Sequence, residues 1–151
     1  MRVLFDVDGV VFDFIAQASK LLGRDIRPEV VHRHLERCLP HEDCERIFDL
    51  CVKDAIAFHC IDLCEGNMWE PPSSALEPFE DLDERVSGLF LTAPFHGSNT
   101  WLSARDQWLK FWYGFSIIFC PGPFKHLVTG DVLVEDNPRT CLEWVEENPK
   151  G

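Results

Sequence analysis

The sequence lacks any apolar run approaching the roughly 20 residues that a membrane-spanning helix needs. It also lacks the apolar segment of a signal peptide, because the first apolar run, Val3–Phe5, ends at a carboxylate after three residues. Basic residues are scarce: 14 Lys and Arg stand against 26 Asp and Glu, a net charge of −12. This charge argues against binding a nucleic-acid polymer through its phosphates. We expect a soluble, cytoplasmic protein with no membrane or nucleic-acid partner, which meets an anionic ligand through a few local cations or a bound metal.

Repeats and low-complexity segments are also missing, and a chain of 151 residues with 46% apolar content suits one compact core. The seven cysteines form no pair at the two-residue spacing that structural zinc sites prefer, although His41 and His59 lie near several of them. Cysteine is among the most buried residue types. We therefore interpret the cysteines as reduced thiols in apolar positions rather than as a zinc site.

Short apolar runs alternate with helix-like stretches along the chain. The apolar runs predict four strands, at Val3–Phe5, Leu89–Thr92, Phe115–Phe119 and Val132–Val134. Between the first two strands, apolar residues at three- and four-residue steps predict helices from about Phe14 to Phe58, followed by a Gly- and Pro-rich loop at 66–78. This order is typical of a parallel α/β sheet, in which ligands bind beyond the carboxyl ends of the strands.

Two later helices have local start or stop signals. The segment from Trp101 to Tyr113 predicts an amphipathic helix that ends at Gly114. Asn137 followed by Pro138 predicts the cap and the first position of another helix.

Polar side chains follow three of the predicted strands. Asp6 comes after the first strand, Thr92 ends the second, and Glu135-Asp136 follow the fourth. Asp6 and Asp8 are two residues apart, so their side chains lean to the same side while the chain stays extended. Carboxylates this close need a proton or a cation between them, and oxygen ligands suit Mg²⁺ with a substrate phosphate. The alternative is that Asp-Val-Asp-Gly forms an ordinary solvated turn.

These residues resemble, in order, the four motifs of the haloacid-dehalogenase-like phosphohydrolases. The first motif is Phe5-Asp6-Val7-Asp8-Gly9-Val10, the second is Thr92, the third is Lys125 and the fourth is Glu135-Asp136. The opening up to Phe14 and the spacing of Lys125, Gly130-Asp131 and Glu135-Asp136 are similar to those of the 5′(3′)-deoxyribonucleotidases. The resemblance implies a three-layer Rossmann-like core with a parallel sheet, formed by residues 1–14 and 82–151. Residues 15–81 would form a small helical cap inserted after the first strand.

The resemblance also implies a role for each motif residue. Asp6 would attack phosphorus and form an aspartyl-phosphate, and Asp8 would act as general acid and then general base. Thr92 would donate a hydrogen bond to the phosphate, and Lys125 would neutralise its charge. The ligands of Mg²⁺ would be Asp6, the backbone carbonyl of Asp8, and Asp136.

Several of these residues keep an ordinary structural alternative. Glu135 and Asp131 would support the metal ligands, but Asp131 could equally be a turn residue after Gly130. Lys125 could be a solvated surface lysine. Thr92 could satisfy its own backbone at the end of a strand.

Substrate contacts are expected at Phe14, which coincides with a family position that stacks on the nucleobase, and at Trp69 in the cap. Core packing is the alternative for both aromatic residues. Arg105 could contact phosphate or lie on the surface of its helix. Ala93 replaces a serine in the family's Thr-Ser-Pro motif, which removes one hydroxyl donor.

The resulting expectation is a Mg²⁺-dependent phosphomonoesterase that acts on a nucleoside monophosphate. A phosphatase for another small phosphate ester, such as a sugar phosphate, and an inactive binding module of the same fold are the alternatives. The chain ends without the further strand that many relatives carry, so a partner such as a second copy, giving a homodimer, could cover the edge of the sheet.

Overall fold

The computed structural model describes most of the chain, with gaps between residues 27 and 99. The described residues are 1–26, 39–53, 55, 59–62, 67–68, 70–71, 75, 79, 85–95, 97–98 and 100–149, of which 60–62 and 67–68 are described by their backbone. Among the described helices, none combines the length and the apolar character required to cross a bilayer.

The described strands form one parallel sheet and one short antiparallel pair. The strands are β1 (Arg2–Phe5), β2 (Cys60–Asp62), β3 (Asn67–Met68), β4 (Ser87–Thr92), β5 (Ser116–Phe119) and β6 (Val132–Val134). The parallel sheet has the order β5-β4-β1-β6, and β2 pairs with β3. In the sheet, Leu4 of the central strand pairs with Leu89 on one side and with Leu133 on the other. The fold is therefore α/β with an all-parallel main sheet.

Five helices have described bounds, and two of them, the first and the last, begin at residues whose side chains cap them. The five are α1 (Phe14–Leu22), α2 (His41–Lys53), α3 (Trp101–Trp112), α4 (Pro138–Glu147) and a 3₁₀ helix (Gly122–Leu127). Asp13 caps α1 by accepting a hydrogen bond from the Ala16 N–H at 2.8 Å, and Gly23 ends it in the left-handed conformation. Asn137 caps α4 through the Arg139 N–H.

The sequence predicted the elements of the parallel sheet well. All four predicted strands are confirmed, as are the helix ended by Gly114 and the helix capped by Asn137. The predicted helical stretch from Phe14 to Phe58 contains α1 and α2, while residues 27–38 lie outside the described residues. The predicted loop at 66–78 lies largely outside them too, but it contains strand β3, which the apolar pattern did not indicate.

Compactness divides the chain into two units. The first comprises Met1–Phe12, Pro71–Pro94 and Leu109–Gly151, and the second comprises Asp13–Glu70 and Phe95–Trp108. The first unit contains the whole parallel sheet, whereas the second contains α1, α2 and the β2-β3 pair. The boundaries of the expected core and cap domains stay a prediction, because compactness alone does not identify either unit as a cap.

Each face of the parallel sheet packs against different side chains of the first unit. On one face, Leu4 and Leu91 contact Trp144 of α4, whose indole N–H donates to the Val128 carbonyl at 2.8 Å. On the other face, rings pack at centroid distances of 4.6 to 6.1 Å; these rings belong to Phe5, Phe79, Phe90, Tyr113 and Phe115. Burial of these side chains stabilises the sheet, by about 1.5–3 kcal/mol for each one that is fully buried, as Leu4, Leu91 and Phe90 are.

The second unit has a core that contains two buried basic side chains. Arg105 and His59 are 0% and 1% exposed, and both contact the ring of Trp101. The Arg105 guanidinium lies 4.8 Å from the indole centroid, a cation–π geometry, and the His59 ring meets the same indole edge-on at 4.8 Å. His59 Nδ1 lies 2.6 Å from the Ala55 carbonyl oxygen, so this nitrogen carries the hydrogen. The expectation that the cysteines occupy core positions holds for Cys44 and Cys51, which are buried free thiols of α2.

Burial of His59 predicts a specific acid sensitivity. Burial and the nearby Arg105 charge lower the pKa of His59 to about 3, against an ordinary value of 6.5. Between these values the unfolded chain binds one proton more than the folded chain, so the free energy of unfolding falls as pH falls, by about 1.4 kcal/mol per pH unit. In His59→Phe this part of the dependence should vanish, as measured by urea unfolding at pH 7 and pH 5. His41→Phe is the control, because the His41 side chain is 85% exposed. Equal pH dependence in wild type and His59→Phe would contradict the prediction.

Candidate active site

Asp6 is held at the carboxyl edge of the sheet by an extension of strand β1. The Asp6 N–H donates to the Val134 carbonyl at 2.8 Å, which continues the pairing of β1 with β6 by one residue. The chain then turns sharply, because the Val7 carbonyl accepts hydrogen bonds from the N–H groups of Val11 and Phe12 at 3.0 and 2.8 Å. Asp6 is 5% exposed, so the alternative of a solvated turn does not apply to this carboxylate.

Three carboxylates from two strand ends come together at this edge. One oxygen each of Asp6, Glu135 and Asp136 lies within 4.8 Å of the other two, and we call these three residues the acidic cluster. Glu135 and Asp136 follow β6 directly, and Asn137 begins the turn into α4. The cluster arises because neighbouring parallel strands end at the same edge. Among the described residues, it is the only group of three or more acidic, His or Cys side chains with this spacing.

Lys125 places a positive charge inside the acidic cluster. Its Nζ donates to Asp6 Oδ1 and, at 3.3 Å, to Glu135 Oε2. Lys125 is only 7% exposed, so the alternative of a solvated surface lysine is wrong. Burial acts to lower the pKa of Lys125, but the Asp6 and Glu135 carboxylates outweigh this effect and raise the pKa above its ordinary value. Lys125 is therefore a charged ammonium at neutral pH.

The pKa of Glu135 reflects its burial close to another carboxylate. Burial and the neighbouring Asp6 charge raise the pKa of Glu135 to about 8, despite the attraction of Lys125. The attraction of Lys125 is thus not enough to keep Glu135 ionised at neutral pH. A second positive charge, or a proton on Glu135, completes the balance.

Gly9 allows the turn after β1 to approach Asp136 closely. Its φ is +85°, and a Cβ atom built on it would collide with Asp136 Oδ2 and lie 3.0 Å from Asp136 Cγ. In the sequence, Gly9 stands out only as part of the Asp-Val-Asp-Gly motif. Its position directly after the Asp-Val-Asp motif was the available signal, since glycine is needed where another group closely approaches the backbone.

Thr92 ends the strand on the other side of β1. It is fully buried, and its carbonyl accepts the Cys120 N–H at 2.9 Å. Within the part of the chain that the structure describes, Thr92 Oγ1 has no hydrogen-bond partner. The hydroxyl therefore does not satisfy its own backbone. Ala93 follows directly and is partly buried.

The remaining motif residues occupy different places. Asp8 is partly exposed and its carboxylate does not belong to the acidic cluster; the expected metal ligand at this position is its backbone carbonyl, which stays a prediction. Asp131 lies at the amino end of β6, where its Oδ2 accepts the Arg2 N–H at 2.6 Å. The structure thus separates Asp131 from the cluster by the length of β6 and gives it the role of a turn residue.

Two of the residues expected to contact the substrate, Phe14 and Arg105, belong to the second unit. Phe14 begins α1 in the second unit and is partly buried. Arg105 also belongs to that unit, and the alternative that it lies on the helix surface is wrong because it is fully buried. Trp69 lies outside the described residues. Contacts of these three residues with a substrate stay predictions.

The donor set of the acidic cluster suits a hard divalent cation. Carboxylate oxygens are the ligands that Mg²⁺ prefers, and octahedral bonds of 2.0–2.1 Å place ligand oxygens about 3 to 4 Å apart. The observed spread of up to 4.8 Å is slightly wider. Asp136 is exposed, so its carboxylate has room to rotate inward. Asp6 and Asp136 could therefore hold such an ion, with Glu135 beside them.

Substitution of Gly9 should disturb this edge more than an equivalent substitution elsewhere. We expect Gly9→Ala to lower the free energy of unfolding by about 1–2 kcal/mol for the left-handed backbone alone, and by more because the new Cβ displaces Asp136. Gly97→Ala is the matched control, since Gly97 has a φ of +87° but nothing within 4 Å of its added Cβ. Urea unfolding of both variants measures the difference. Equal losses would show that Asp136 does not constrain Gly9.

Neither a model of a known protein family nor a curated protein matches this sequence. The chemistry of the acidic cluster therefore rests on its own geometry and on the motifs in the sequence.

Proposed function

We propose that this chain is a Mg²⁺-dependent phosphomonoesterase of the haloacid-dehalogenase-like type, which removes phosphate from nucleoside monophosphates. The observation that carries the proposal is the buried contact of Lys125 with Asp6 and Glu135. Asp6 is 119 residues from Lys125 in the sequence, yet it meets Lys125 and Glu135 beyond the carboxyl ends of parallel strands, where α/β proteins bind their ligands. In this proposal, residues 1–14 and 82–151 form the Rossmann-like core and residues 15–81 form the cap.

Asp6 is the nucleophile in the proposed reaction. Its carboxylate attacks phosphorus, the bond to the leaving alcohol breaks, and water then hydrolyses the aspartyl-phosphate to phosphate and free Asp6. Lys125 contacts Asp6 and so lies where negative charge on the transferred phosphoryl group can be neutralised. The buried Thr92 hydroxyl donates a hydrogen bond to a phosphoryl oxygen.

Asp8 supplies the proton for the leaving alcohol and later accepts one from the attacking water. Its partial exposure and its place outside the acidic cluster suit this role, because a proton carrier must exchange with substrate and solvent. Asp6, Asp136 and the Asp8 carbonyl would hold Mg²⁺, which when bound adds positive charge that orients the phosphate and offsets the crowding of carboxylates.

The nucleoside part of the proposal has narrower support than the phosphatase part. It rests on the similarity of the opening motif and of the Lys125 to Asp136 spacing to the deoxyribonucleotidases. Ala93, in place of the family's serine, removes a hydroxyl that such a substrate could use. A different small phosphate ester is therefore the competing substrate class, and a binding module without turnover is the competing function.

Removal of the nucleophile should abolish hydrolysis without unfolding the protein. We expect Asp6→Asn to reduce kcat by about 10³-fold or more, because an amide of similar shape is a poor nucleophile. The readout is phosphate release, with urea unfolding as a check on folding. Asp131→Asn is the matched control, since it makes the same change at the opposite end of the sheet and should leave kcat within about twofold. Equal activity of Asp6→Asn and wild type would rule out the covalent route.

A substrate panel with metal removal separates the proposed function from its competitors. Phosphate release should be faster from nucleoside monophosphates than from sugar phosphates, and it should stop with EDTA and return with Mg²⁺ because the phosphate needs the added positive charge. Faster turnover of sugar phosphates would transfer the assignment to the competing substrate class. Activity that persists in EDTA would contradict the metal requirement, and absence of any hydrolysis would favour the binding module.

A further inference from the structure

We propose that Glu135 is a positioning residue for Lys125: it holds the ammonium against Asp6 rather than serving as a ligand of the cation. This inference rests on the proposed function and assigns a task to a carboxylate that the motif leaves undefined. It starts from the way Glu135 is bound within the protein.

Both oxygens of Glu135 already accept hydrogen bonds from nitrogen donors. Oε2 accepts from Lys125 Nζ at 3.3 Å, and Oε1 accepts from the Asn137 backbone N–H at 3.3 Å. The side chain is 2% exposed, so water has little access to it. Each oxygen thus has one of its two acceptor sites occupied, so Glu135 offers a cation less than an unoccupied carboxylate would. Asp136 is exposed by contrast and is the more accessible ligand.

The Asn137 contact fixes Glu135 from the backbone. Asn137 is the cap of α4, and its own side chain is occupied by Thr140 and the Arg139 N–H. The N–H that binds Glu135 therefore belongs to a rigid helix start. Lys125, on the 3₁₀ helix, has a flexible four-carbon stem and three donors, so its ammonium needs fixed acceptors to keep one position.

The reaction itself creates the need for a second acceptor. When Asp6 bonds to phosphorus, the attacking oxygen loses its negative charge, and the attraction between Asp6 and Lys125 weakens. Glu135 does not react, so its carboxylate remains opposite Lys125 through both half-reactions. Lys125 can then neutralise the phosphoryl oxygens without being displaced.

The length of the side chain is part of the argument. Glutamate reaches both the Asn137 N–H and Lys125 Nζ, whereas aspartate at the same position is shorter by one methylene. Glutamine keeps the length but loses the charge and presents an N–H₂ group toward one of two donors. We therefore expect Glu135→Asp and Glu135→Gln to impair the same step.

The first test combines turnover with metal affinity in wild type, Glu135→Gln, Lys125→Met and the double variant. Glu135→Gln should lower kcat by about 10–100-fold with the Kd for Mg²⁺ within about twofold, measured by calorimetry. In the Lys125→Met background the same change should alter kcat by less than about twofold, because the residue it positions is gone. Asp136→Asn is the control for ligand loss and should raise the Kd at least tenfold.

The second test measures stability and does not require that the protein hydrolyse any substrate. In the metal-free protein, Lys125→Met should shift the urea midpoint much more when Glu135 is present than in the Glu135→Gln background, because only the native pair makes the hydrogen bond from Lys125 Nζ to Glu135 Oε2 in its native geometry. If Glu135→Gln does not fold, Glu135→Asp takes its place in both tests.

The outcomes separate this inference from the proposed function. If no phosphate ester is hydrolysed, the proposed function fails, while the urea midpoints and the Mg²⁺ affinities still decide whether Glu135 serves Lys125. Additive midpoint shifts, a tenfold higher Kd for Mg²⁺ in Glu135→Gln, or a further large loss of kcat in the Lys125→Met background would each overturn the inference.

Discussion

The contact between the Lys125 ammonium and the Asp6 and Glu135 carboxylates is the interaction on which the edge of the sheet depends. Each partner is nearly inaccessible to water, so each would be costly to bury alone. Removing one member of such a group typically costs about 3–5 kcal/mol, because the remaining charge is left unpaired. The protein as a whole is strongly acidic, with a net charge of −12, and it nevertheless places a lysine here. The local balance of charge therefore outweighs the overall composition.

Three features of the backbone help to hold the charged groups around this contact close together. The parallel register of β1 with β6 sets Asp6 beside the residues that follow Val134. Gly9 removes the Cβ that would keep the turn away from Asp136, and the N–H of Asn137, the cap of α4, donates to Glu135. A helix N-terminus carries partial positive charge, which favours carboxylates at this position. Backbone and side chains thus contribute to the same electrostatic balance.

The sequence predicted correctly those features that a few consecutive residues determine by themselves. Apolar runs followed by polar residues located the strand ends, and the Asn137-Pro138 pair marked the start of α4. Burial was much harder to predict. Lys125 follows Pro121-Gly122-Pro123, which indicates a loop, yet the segment forms a 3₁₀ helix that turns the lysine inward. Arg105 lies on an amphipathic helix like many surface arginines, but it is buried near the distant His59 as well as against Trp101, one turn earlier on the same helix. Such contacts depend on distant parts of the chain, so local periodicity cannot indicate them.

A site of this kind requires few residues, because the sheet supplies most of the geometry. Parallel strands about 4.8 Å apart place whatever follows each strand at the same edge, whichever apolar residues fill the strands themselves. Asp6, Thr92 and Glu135 each need only the correct distance from the end of a strand, and Lys125 needs a short segment that returns to that edge. The rest of the sequence is constrained by packing rather than by chemistry, and packing accepts many combinations of apolar side chains of similar volume. This explains how the motif spacing can resemble a phosphohydrolase family while the chain as a whole matches no family model. In the proposed reaction, substrate selectivity would lie outside the edge of the sheet, since none of these four residues distinguishes one alcohol from another.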